Sequence, residues 1–145
     1  MTTNLADNDS VQIRGLLRHL DAENSHDVAA IARGFAADGV MILNGQTYRG
    51  REQIAAVHEG FGFGNKGAFS ELSVKEKHRH VGRDAIAVEE TVRGKHTGRW
   101  EDLEATGRTF ELAVCGVYVF NAAGELAEER VYFDGSALMK QLRGG

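Results

Sequence analysis

Proline is absent from the chain, and cysteine occurs once, as Cys115. With no imide nitrogen to interrupt a ladder, long continuous strands are permitted. A lone cysteine has no partner within the chain, which excludes an intrachain disulfide and leaves nothing that requires an oxidising compartment. No run of about 18 apolar residues occurs, so no membrane-spanning helix is expected. The opening residues, Met1-Thr2-Thr3-Asn4-Leu5-Ala6-Asp7, lack the basic and apolar regions of a secretory signal, and a cytoplasmic protein is expected. Basic runs are missing as well, and the net charge is −4. That balance argues against a nucleic-acid or anionic-membrane surface and leaves a small molecule or another protein as the partner.

What is present fits one globular domain. A chain of 145 residues with 42% hydrophobic and 26% charged residues can bury a core and still enclose a pocket. No linker, repeat or low-complexity segment divides it, so residues 1–145 read as one domain with a flexible N-terminus over residues 1–10. Ile13, Leu16, Leu17 and Leu20 recur at helical spacing and predict a helix over residues 11–23, capped by Asp9 or Ser10. Asp27 can cap a second helix whose stripe is Val28, Ile31, Ala32 and Phe35, running up to Asp38-Gly39. Residues 40–43 read as a short buried strand, and Asn44-Gly45 as a hairpin turn into Thr47-Tyr48-Arg49. A third helix is predicted over residues 51–60. Glycines 60, 62, 64 and 67 then form a loop around Phe61, Phe63 and Phe69 that is free to move.

From residue 71 onward the pattern turns to strand, with runs at 71–81, 85–95, 109–120 and 125–133 and a tail helix at 136–143. Helices first and long strands afterwards predict an α+β domain with the helices on one face of a strongly curved sheet. Such a sheet closed by helices is a cone with an interior, suited to an enclosed apolar pocket holding a few polar groups. The last strand places Glu129 on the same face as Val131 and Phe133. Either that face lines a cavity that uses the carboxylate, or the register is displaced by one residue and Glu129 is solvated. In the cavity, burial raises its pKa.

Further residues carry a family resemblance. They are Phe35-Ala36-Ala37-Asp38 before the first strand, Tyr48-Arg49-Gly50 before the third helix and Gly94-Lys95-His96-Thr97-Gly98. To these are added Ala105-Thr106-Gly107-Arg108-Thr109-Phe110 and the ending Leu138-Met139-Lys140-Gln141-Leu142. With the order of elements, they make nearly the whole chain resemble the nuclear-transport-factor-2-like superfamily, in its SnoaL-like polyketide cyclase and ketosteroid isomerase-like branch. The resemblance implies a cystatin-like roll: a cone-shaped α+β fold with three N-terminal helices packed on a strongly curved mixed or antiparallel sheet. It also implies a homodimer paired through its sheet faces, to which the outward Cys115, Val117 and Val119 would contribute.

The family's catalytic residues do not carry over. The general base of the ketosteroid isomerases falls on Leu43, their oxyanion-hole aspartate on Gly116 and the tyrosine of their first helix on His19. The catalytic aspartate of the polyketide cyclases falls on Val131, and their associated histidine again on Gly116. By the same alignment Val88, Glu90 and Val92, then Val114, Gly116 and Tyr118, then Glu129, Val131 and Phe133 point inward. The candidate catalytic residues are therefore Glu129, Glu90 and His19. Tyr118, Val131, Val88, Val92, Phe133, Leu43 and Trp100 are candidates for substrate contact. Against this stands the alternative that Glu90 pairs with Arg93 or another cation on the outer face and that His19 is an ordinary satisfied histidine.

The expected function is binding of a small apolar molecule that is carbonyl-bearing or cyclic, with acid-base isomerisation, cyclisation or dehydration and no cofactor. The alternatives are a non-catalytic binding or interaction module of the same fold, or an accessory subunit. No metal is expected. His78 and His80 can face one side of a strand, but Lys75, Lys77 and Arg79 beside them repel a cation. His96 is expected to shape a strand end, and the register turns Cys115 away from the cavity.

Overall fold

The computed structural model describes residues 5–145, with side chains from residue 11 onward. The elements run α1 (Leu5–Asn24), α2 (Val28–Gly34), β1 (Phe35–Leu43), β2 (Gln46–Arg49), α3 (Gly50–Phe61), β3 (Phe69–Val81), β4 (Ile86–His96), β5 (Thr109–Phe120), β6 (Leu126–Phe133) and α4 (Gly135–Leu142). Residues 1–4 of the stretch expected to be flexible lie outside the described residues, whereas residues 5–10 already belong to α1. Asp9 and Ser10 therefore stand inside that helix and do not cap it. Among the described residues no helix is long and apolar enough to cross a membrane.

The six strands form one mixed sheet in the order β2-β1-β6-β5-β4-β3. Every neighbouring pair is antiparallel except β1 with β6, which is parallel. The β1–β2 connection is the Asn44-Gly45 turn read from the sequence. Both residues take positive φ, 47° and 88°, as a two-residue turn between twisted strands demands. β1 begins at Phe35, five residues before its expected start, and a register shift between Phe35 and Val40 absorbs Ala36 to Gly39. Those four residues have little strand propensity of their own, and the flanking pairs Phe35–Leu126 and Val40–Glu128 hold them in line.

Side-chain hydrogen bonds fasten the helices to the sheet. Asn24 at the end of α1 donates to the Val74 carbonyl at 2.9 Å and accepts from the Val74 N–H at 2.8 Å, copying a strand pairing with β3. Arg51 of α3 donates from Nε to the Phe35 carbonyl at 2.8 Å. Asp27 caps α2 by accepting from the Ala30 N–H, an arrangement worth about 1 kcal/mol. Gln141 of α4 bonds both backbone groups of Glu111, which seats Leu138 and Leu142 in the core.

The buried face of α1 is Gln12, Leu16, His19, Leu20 and Glu23, while Leu17, expected inside, is 48% exposed. The helix is rotated toward its polar residues because Gly15 lets it approach the Phe120 ring. A Cβ on Gly15 would stand 2.6 Å from that ring.

The glycine loop after α3 is tightly packed, in contrast to the movable segment read from the sequence. Ala68 donates to the Gly60 carbonyl at 3.0 Å, and a Cβ on Gly62 would come within 1.8 Å of the Phe69 carbonyl oxygen. Here glycine serves close backbone approach.

Candidate functional site

The sheet register decides the central question about Glu129. It pairs with Met41 of β1 on one side and Tyr118 of β5 on the other, and it is 2% exposed. Glu90 of β4 is 5% exposed and accepts a hydrogen bond from the Tyr118 hydroxyl at 2.5 Å. It pairs with no cation on the outer face; Arg93 bonds Glu111 there instead.

The helices bring imidazoles to these acids. His19 of α1 places Nε2 at 2.9 Å from Glu129 Oε2 and at 3.5 Å from Glu23 Oε1, one helical turn on. His58 of α3 lies with Nε2 at 3.8 Å from the other oxygen of Glu23. Its Nδ1 is 2.8 Å from the Ile54 carbonyl, an acceptor, so Nδ1 carries the proton and Nε2 presents a lone pair. Glu23, His58, Glu90, Tyr118 and Glu129 all line one cavity, of about 60 Å³. Its remaining walls are apolar, with Met41, Leu43, Phe61, Phe63, Val131 and Phe133 among them, and no lysine or arginine lines it.

The charges in this cluster follow from their neighbours. Burial alone would lower the pKa of His19, but the carboxylates of Glu23, Glu129 and Glu90 raise it to about 9. Burial pushes Glu129 upward, yet the charge and contact of His19 outweigh it and hold the carboxyl below its ordinary value. The raised pKa expected for Glu129 is thus reversed: an imidazolium faces it. The raised acids are Glu90, at about 7, and Glu23, at about 8, both chiefly by burial. Burial also holds His58 below its ordinary range and Tyr118 well above its own. The cavity therefore combines an ionised carboxylate with acids whose protons are exchangeable near neutrality.

Leu43, Val92, Tyr118, Val131 and Phe133 line the cavity as expected. Val88 does not. It is fully buried in the core opposite Gly116, two register pairs from Glu90, and His19 too stands outside the lining, behind Glu129. Trp100 does not reach the cavity either; it packs edge-on against Phe61 and tilted against Phe69, behind the wall. His96 shapes its strand end as read, with Nδ1 accepting from the Thr106 N–H at 3.2 Å. His80 is held by Glu89 at the surface.

The sequence reading missed Glu23 and His58. Both sit on buried helical faces, Glu23 in register with Leu16 and Leu20, and His58 one turn after Ile54. An ionisable residue on an apolar stripe is the same signal that identified Glu129.

The sequence matches the family model for the SnoaL-like polyketide cyclases over residues 14–142. The chain belongs to that family. It accordingly lies in the SnoaL branch of the nuclear-transport-factor-2-like superfamily, and its four helices on a six-stranded mixed sheet are that superfamily's cone. A SnoaL-like protein of Jannaschia Sp. CCS1 superposes with a TM-score of 0.81 at 18% identity, covering 94% of each chain. A ketosteroid isomerase-like protein of Catenulispora acidiphila, in complex with trimethylamine, gives 0.74 at 18% identity, covering 89% of this chain and 92% of that one. An LEH-like epoxide hydrolase of M. tuberculosis gives 0.71 at 21% identity, covering 94% and 92%. At these identities the likeness is one of fold. No curated protein matches the chain.

Proposed function

We propose that this SnoaL-like protein binds a small, mostly apolar, carbonyl-bearing or cyclic molecule in its cone and moves a proton on it, as an isomerase, cyclase or dehydratase. One observation carries this reading: Glu129, backed by His19, and the Glu90–Tyr118 pair share a cavity whose walls are apolar apart from Glu23 and His58. Either Glu129 or Glu90 can take a proton next to a carbonyl. Glu129 is the ionised one, and Glu90 has the pKa matched to neutral pH. The hydroxyl of Tyr118 is the donor in the lining available to the oxyanion that forms, and His19, behind the wall, holds the charge of Glu129. With no lysine or arginine in the lining, anionic substrates have no counter-charge there.

The experiment is solvent-deuterium exchange at the carbon next to the carbonyl of cyclic ketones, measured by NMR with the purified full chain. A ligand retained through purification and identified by mass spectrometry would supply the first candidate. Exchange that depends on Glu129 or Glu90 supports the reading. Saturable binding with no exchange above the rate in buffer rejects it and leaves the binding module, which the loss of acid at Leu43, Gly116 and Val131 favours.

A further inference from the structure

The geometry points to a divalent-cation site at the floor of the cone, built from His19 of α1, His58 of α3 and Glu129 of β6. One ligand atom from each of these buried residues lies within 4.8 Å of the other two. Two imidazoles and one carboxylate on separate elements, with an open side toward a cavity, form a three-point site suited to zinc or another first-row divalent ion.

Three details favour an ion over a simple hydrogen-bonded cluster. First, the proton on His58 Nδ1 goes to the Ile54 carbonyl, which leaves Nε2 as a free ligand atom of fixed orientation. Backbone carbonyls commonly orient metal-binding histidines in this way. Second, His19 Nε2 and Glu129 Oε2 are 2.9 Å apart but not in donor–acceptor alignment. Both His19 ring nitrogens, and Glu129 Oε1, are buried without a hydrogen-bond partner. Buried polar atoms are rarely left unpaired, and a side-by-side approach of two ligand atoms is the relation they have around a shared ion. Third, Glu23 adjoins both imidazoles at 3.5 and 3.8 Å, so a further carboxylate stands ready to ligate or to accept a proton from an ion-bound water.

Ligand atoms about 2.0–2.2 Å from a zinc ion are at most roughly 4.2 Å apart. In a tetrahedral arrangement such ligand atoms stand roughly 3.4 Å apart, so the widest gap, within the 4.8 Å limit, needs to close by no more than about 1.4 Å, a movement within reach of side-chain rotation. Spacing in the sequence draws attention only to His78 and His80; His19 and His58 meet because α1, packed on β3 and β5, and α3, packed on β1 and β2, approach Glu129 of β6 from opposite sides. The inference does not rest on the acid-base reading: an ion on His19 and Glu129 replaces the imidazolium proton and occupies that carboxylate, which leaves Glu90 as the base in the metal-bound protein.

The test is titration of the chelator-stripped full chain with Co²⁺, followed by visible absorption, with Zn²⁺ as competitor. We expect one equivalent to bind, giving the intense bands of a low-symmetry site, and Zn²⁺ to abolish them. His58→Gln and Glu129→Gln should each weaken binding at least 10²-fold while keeping the far-ultraviolet circular dichroism of the parent, and His80→Ala should leave it unchanged. No stoichiometric binding, or binding that survives both cavity substitutions, overturns the site. Where a variant fails to fold, ¹⁵N resonances of the imidazoles in the parent protein decide: shifts at His19 and His58 on adding Zn²⁺ support the site, and unshifted ones overturn it. No substrate enters this test, so its failure is separable from failure of the catalytic proposal.

Discussion

Gly116 and Tyr118 lie two residues apart on the same face of β5, and a Cβ on Gly116 would stand 2.7 Å from the Tyr118 hydroxyl oxygen. The tyrosine ring occupies the space that a side chain at position 116 would need. Where the family resemblance places an acid or a histidine, this chain has emptied the position. The ring thereby lies flat enough to reach Glu90.

Gly116→Ala should therefore displace Tyr118 from Glu90. Forcing a methyl group against a packed ring costs about 1–3 kcal/mol, so a lowered melting temperature is expected. The tyrosine–glutamate contact should be lost from the variant's crystal structure. An unchanged melting temperature, with Tyr118 still on Glu90, would show that the strand yields and the ring does not depend on the glycine.

Glu129→Gln keeps the shape of the side chain and removes its charge. Glu23 remains 3.5 Å from His19, so the imidazolium keeps a partner and the protein should fold. If Glu129 is the base, proton exchange on a bound ketone should drop by on the order of 10²-fold or more. The matching loss on Glu90→Gln instead would assign the base to Glu90.

Stability should fall as pH rises from about 5 to about 9 in chelator-containing buffer. Glu90 and Glu23 are raised from 4.5 to about 7 and about 8. Between those limits the native state holds more protons than the unfolded chain, and stability declines with pH. His19 is raised from 6.5 to about 9, so its contribution is full below 6.5 and is lost as pH climbs through 9. Glu129 acts oppositely, with stability present above 4.5 and lost as pH falls below its depressed value. Thermal denaturation across this range tests the slope. Glu90→Gln should flatten it between 4.5 and 7, and a melting temperature that climbs through the window would contradict these assignments.

A homodimer is proposed through the outer face of the sheet. Cys115, Val117 and Val119 are only half-buried there, and Tyr132, paired with Cys115, is 47% exposed. Such a row of apolar side chains marks an interface. Sedimentation should give twice the 15.8 kDa chain mass, and Val117→Lys should return it to one. A parent protein already at 15.8 kDa at micromolar concentration would dismiss the proposal.

Local rules were enough to read the element order, the Asn44-Gly45 hairpin and the face that Glu129 shares with Val131 and Phe133, because each depends on residues a few positions apart; which way that face points was left open until the register was known. Period-two alternation groups Glu129 with Val131 and Phe133, while the inward positions of Glu90 and Tyr118 came from the family resemblance; all five line the cavity. Neither route measures depth along a face, which is why Val88 proved to be core; Trp100, in the connection between β4 and β5, has no alternation to place it and stands behind Phe61. Glu23 and His58 joined the site only through the packing of α1 on β3 and β5 and of α3 on β1 and β2, which brings residues 35 positions apart together. The sign of the Glu129 shift was decided in the same way. Burial by itself raises a carboxyl pKa, and only the tertiary structure brings an imidazole to 2.9 Å, close enough to reverse it.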